Sequence, residues 1–136
     1  MTPMGTGKPK ALAIIICDEV IDDRLTNKKT LVGTFNNITA PKVPCRHHQL
    51  HVFVALTDGH GAYNAKLVCK HRESNTQTFE AGGDIKFEDP NQVIEMNFSL
   101  QGLVFMQYGL HDFDIYCNDQ HIIGRKFTVS PPKPEP

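Results

Sequence analysis

The chain has 136 residues, 40% of them hydrophobic and 21% charged, with a formal net charge of −1. That length suits one domain with a real core and leaves no room for a second, and the composition argues against wholesale disorder. Lys and Arg form no run denser than Asn27-Lys28-Lys29, so no nucleic-acid partner is expected, because that affinity rests on clustered cations.

Residues 1–9 offer nothing to bury and read as a flexible N-terminal arm. The "GTGKP" within it echoes a phosphate loop but has Pro9 where Ser or Thr would reach magnesium. "ALAIIIC" at 11–17 is far short of a membrane span, and "DEVIDD" follows where a cleavage site would need small residues. We read it as a buried strand, with no membrane partner and a cytoplasmic location. The stretch 18–27 is expected to hold one helical turn at most. Its acidic residues Asp18, Glu19, Asp22 and Asp23 lack the rhythm of a calcium loop.

From residue 30 onward the apolar period is two. In "LHVFVAL" (50–56), Leu50, Val52, Val54 and Leu56 oppose His51, Phe53 and Ala55; in "VIEMNFSL" (93–100), Ile94, Met96, Phe98 and Leu100 oppose Glu95, Asn97 and Ser99. In "HDFDIYC" (111–117), Phe113, Ile115 and Cys117 oppose Asp112, Asp114 and Tyr116. Turn residues separate the runs, including "TDGHG" at 57–61, "AGGD" at 81–84 and a two-residue link at Asn118-Asp119. Strands are predicted over 11–17, 30–38, 48–57, 61–72, 76–80, 84–88, 93–101, 109–117 and 120–129, about eight in all because the short pair in the middle is ambiguous. The pattern implies an all-β, antiparallel two-sheet sandwich, with a closed barrel as the alternative. The domain spans 10–129, and a Pro-rich flexible tail occupies 130–136.

"VPCRHHQLHVFV" at 43–54 is the segment richest in metal-ligating side chains. On an extended strand His47 and His51 share a face about 13 Å apart, too far for one ion, while His48 joins Leu50. A zinc site at Cys45, His47 and His48 therefore needs a bent loop and distant help from a residue such as His71 or His121. His111 shares a face with Phe113 and reads as a core histidine with one hydrogen bond. Cys17, Cys69 and Cys117 fall at inward positions and read as inert free thiols, whereas Cys45 is the reactive candidate. The three serines, Ser74, Ser99 and Ser130, lie in no nucleophile elbow. Phe53, His51 and Tyr116 fall on outward positions and are candidates for a contact surface, unless a loop or the arm covers them.

The segments "ICDEVIDD", "TLVGTFNNITAPKVP", "HHQLHVFVALTDGHGAY" and "LQGLVFMQYGLHDFDIYCND" together resemble a family of small uncharacterised bacterial proteins over residues 14–129. The resemblance implies an immunoglobulin-like sandwich and no assigned activity. This chain carries Asn118-Asp119 where the family usually has Asp-Gly, and His111 where a ring is usual. The expected function is a non-enzymatic binding or assembly module contacting a protein partner or itself. The alternative is a metal-binding domain or metal-dependent enzyme centred on Cys45, His47 and His48, with zinc as its ion.

Overall fold

The computed structural model describes residues 5–134, so positions 1–4 of the expected arm and 135–136 of the expected tail lie outside the described residues. Among the described residues nine strands run in order: β1 (Lys10–Asp22), β2 (Lys29–Thr34), β3 (Asn37–Thr39), β4 (Cys45–Thr57), β5 (Gly61–His71), β6 (Gln77–Phe87), β7 (Ile94–Phe105), β8 (Gly109–Cys117) and β9 (Gln120–Ser130). They form two sheets, β2-β1-β4-β7 and β3-β9-β8-β5-β6, so the chain is an open sandwich and not a closed barrel. All pairs are antiparallel except β3 with β9. Among the described residues no helix is long and apolar enough to cross a membrane.

One core fills the space between the sheets. Leu50, Val52, Val54 and Leu56 of β4 and Ile14 and Ile16 of β1 meet Leu67 and Cys69 of β5, Phe113 and Ile115 of β8, and Phe127 of β9. Each of the Val, Leu, Ile and Phe side chains among them contributes about 1.5–3 kcal/mol on leaving water. Phe113 stacks on Phe127 with ring centroids 5.0 Å apart, and Phe127 meets Phe105 edge-on at 5.8 Å.

Several boundaries differ from the sequence expectation. Residues 18–22 continue β1 into a hairpin with β2, and the single turn expected within 18–27 falls at its tip. There Asn27 N–H donates to the Asp23 carbonyl (2.8 Å), Asp23 Oδ1 accepts the amide protons of Leu25 and Thr26, and Asn27 takes φ 58°. The predicted 30–38 strand splits because the chain crosses between sheets, leaving β3 to pair with β9. The two short middle strands are one, since Gly82 and Gly83 stay in register with Lys66 and Ala65. A Cβ on Gly82 would sit 2.9 Å from the Ala65 carbonyl, so this close approach requires glycine. Residues 5–9 lie along β5: Gly5 N–H donates to the Ala62 carbonyl, Tyr63 Oη donates to the Thr6 carbonyl, and Pro9 is buried.

The β1–β2 hairpin leaves the plane of its sheet. Cys17 of β1 stands opposite His51 of β4, which stands opposite Ser99 of β7. Straight continuation would carry Asp22 about 30 Å along the strand axis from Glu95, at roughly 3.3 Å per residue. Yet Lys29, opposite Asp22 in the hairpin, places Nζ 3.7 Å from Oε1 of Glu95. The hairpin therefore folds back over the outer face of the four-stranded sheet. It bends where Gly33, at φ 69°, stands against the Asp18 carboxylate with no room for a Cβ. Val20 and Leu31, paired across the hairpin, are half-buried beneath it.

Candidate interaction surface

The Cys45–His51 segment opens β4 in unbroken register with β7, as Cys45 faces Phe105, His47 faces Leu103 and His51 faces Ser99. Burial changes parity here. Leu50 through Leu56 are inward at even positions, but beyond His48 the half-buried residues are Cys45 and His47, with Arg46 and His48 exposed. On β7 the same switch occurs at Gly102, at φ 68°, so that Leu103 and Phe105 are buried where Leu100 was the preceding inward residue. The expectation that His48 joins Leu50 and His47 joins His51 is thereby corrected, because a left-handed residue turns the pleat over.

His47 packs on Phe35 with ring centroids 6.1 Å apart, and burial holds its pKa below the ordinary value. Among the described residues no three His, Cys, Asp or Glu side chains gather to hold a metal, so Cys45, His47 and His48 do not converge. The residues considered as distant help lie on the other sheet with partners of their own. His121 Nε2 is 2.8 Å from Asp114 Oδ1. His71 accepts the Ser74 amide proton at Nδ1 (3.2 Å), and its Nε2 lies 3.0 Å from the Tyr108 carbonyl oxygen, to which it donates.

The Ser74 hydroxyl, 2.7 Å from the same Nδ1, is the nearest approach to a nucleophile beside a base. It also bonds Thr76 Oγ1 and Gln107 Oε1, tying the β5–β6 turn to the loop before β8. That is a structural lock on a turn. His111 is fully buried, bonds the Gly109 carbonyl through Nδ1 at 3.0 Å, and stacks on Phe127; its Nε2 has no partner among the described residues. Burial is the main cause that pushes its pKa down, with His71 adding to it.

Phe53, His51 and Tyr116 are not brought together. Tyr116 is half-buried on the outer face of the five-stranded sheet, edge-on to His121 at 5.4 Å. Charges there are matched: Arg72 holds Asp112 through two bonds of 2.9 and 2.6 Å, and Lys66 meets Glu80 at 3.1 Å. Phe53 and His51 share the opposite outer face, and both, expected to be exposed, are only 8% exposed. Both lie on the face over which the β1–β2 hairpin folds back. His51 receives a proton from Gln49 Nε2 (3.2 Å) and donates from Nδ1 to Asn97 Oδ1 (3.0 Å), linking the central strand to the edge strand.

What the hairpin covers below, it replaces above. Ile21 and Val32, 47% and 40% exposed, share its outward face, and Leu25 at the tip is 96% exposed. This apolar patch was missed in the sequence because "DEVIDDRLTN" reads as a solvated acidic connection. Its signal was two short apolar runs, Val20-Ile21 and Leu31-Val32, flanking a turn, which place Val20 opposite Leu31 and set Ile21 diagonal to Val32 on the other face.

The chain matches the model of a family of unknown function (DUF6941) over residues 12–130, and it belongs to that family. No curated protein matches it.

Proposed function

We propose that the chain is a non-enzymatic β-sandwich module of the cytoplasm that binds a protein partner through the outer surface of its β1–β2 hairpin. The observation that carries this reading is the exposed cluster of Ile21, Leu25 and Val32 on a hairpin held against the edge strand by the Lys29–Glu95 pair. Apolar side chains grouped on a projecting element mark contact surfaces more often than scattered ones do. Four free cysteines, three of them buried, support the reducing compartment. The immunoglobulin-like reading draws support from the strand order: a β9-β8-β5-β6 sheet extended by a parallel short strand, against β1-β4-β7, parallels the two sheets of that fold.

The test is carbene footprinting of the protein alone and in extract of its host cell. Protection is expected at Ile21, Leu25 and Val32, and should disappear in a Leu25→Glu variant. Protection confined to the face around Tyr116, or found nowhere, overturns the reading.

A further inference from the structure

We infer that the partner at this surface includes a second copy of the chain, joined by antiparallel pairing of β7 with β7 across a two-fold axis. The inference rests on the reading of the hairpin surface and adds a named edge. Of the four edge strands, three carry the devices that discourage strand addition. β3 has three residues; β2 has six and starts at Lys29, directly after Lys28; β6 carries Glu80, Asp84 and Lys86. β7 is twelve residues long and holds no Lys, Arg or Pro and only one charge, Glu95. Up to the left-handed Gly102 it is the least guarded edge.

Its two faces suit a copy of itself. Ile94, Met96 and Phe98 are half-buried where β7 passes Gly82 and Gly83 of β6, leaving a groove of about 290 Å³ along the rim. A pairing centred on Phe98 sets Met96 against Leu100 of the second copy, so apolar side chains from both strands enter that rim. On the outer face it sets Asn97 against Ser99 and Glu95 against Gln101, so no like charges are opposed. The hairpin adds a second contact. Its path from Cys17 to Lys29 crosses the sheet toward β7 and sets Lys29 on Glu95, so the base of the exposed tip that carries Leu25 lies at the strand proposed to pair.

Ser99 is exposed and lies two residues from its two-fold mate across this pairing, so a charge placed there meets the same charge on the other copy. Sedimentation velocity of the full chain is expected to show a dimer for the wild type and loss of the dimer peak for Ser99→Lys and for Ser99→Glu alone. An equimolar mixture of the two variants should restore it, which also shows that both are folded. A monomeric wild type, a dimer indifferent to both substitutions, or a mixture that stays monomeric overturns the inference. Footprint protection of the hairpin in extract by a monomeric chain would leave the broader reading standing without it.

Discussion

Lys29 and Glu95 are 66 positions apart in the chain and lie in strands separated by two others in the sheet, yet their charged groups are 3.7 Å apart. That pair shows the hairpin folded over the outer face, and it explains why Phe53, His51 and Cys17 are buried on the side of the sheet away from the core.

Glu95→Gln removes the charge that holds the hairpin down. Both partners are partly exposed, so global stability should fall by no more than about 1 kcal/mol. Local opening should increase. In the wild type a thiol reagent should modify Cys45 first, because burial pushes Cys69 up to about 12 and Cys117 up to about 11, and raises Cys17 too. In the variant Cys17 should react faster while Cys69 and Cys117 stay slow. Mass spectrometry of labelled peptides reads the order directly.

Asn97→Ala takes away the acceptor for His51 Nδ1, a nearly buried donor. A loss of about 0.5–1.5 kcal/mol is expected in urea unfolding, with an unchanged m-value. A neutral result would mean that water satisfies the ring and that the bond between central and edge strand is not a stabilising link.

Acid should destabilise the fold through two histidines. His111 and His47 both have folded pKa values below the ordinary 6.5. The unfolded chain therefore takes up protons that the native state resists, and stability present above about pH 6.5 is lost as pH falls below it. The steepest loss from one site is about 1.4 kcal/mol per pH unit. Around His111 the charged or titratable neighbours are His71, which opposes protonation, and Asp112, which favours it. Substituting His111→Phe should reduce the pH slope between 6.5 and 5 even if it lowers stability at pH 8, as measured by chemical denaturation across that range.

The β8–β9 link places Asn118 at φ 49° and Asp119 at φ 65°, both left-handed. Asp119→Gly relieves the second residue, and Asn-Gly is the favoured pair for such a two-residue turn. A gain of about 0.5–1 kcal/mol is expected, since the Lys66–Asp119 ion pair that the substitution removes is largely solvated. A lower melting temperature would show that the Asp119 carboxylate contributes more than its exposure implies.

Strict alternation was the most legible signal. Strand β8 has the bounds predicted for it, and the buried row of β4 follows Leu50, Val52, Val54 and Leu56. Asn118-Asp119 acts as the predicted two-residue link. The candidate site was far less legible, for a common reason: its determinants are non-local. Phe53 alternates like an outward residue, and only a hairpin folding back from Gly33 buries it. His47 and His48 exchange roles because Gly102, on a neighbouring strand, turns the pleat over. Gly82-Gly83 looks like a break, but an edge strand pressed against the Ala65 carbonyl uses glycine to stay in register.

The proposed reading puts contact chemistry at the hairpin and the β7 edge, and none at Cys45, His47 and His48. Native mass spectrometry of protein purified without a tag or chelator tests both halves at once. It should give a dimer whose mass is that of two polypeptides alone. A monomer carrying one transition-metal ion, which disappears on Cys45→Ser or His47→Ala, would contradict that assignment and return the function to the start of β4.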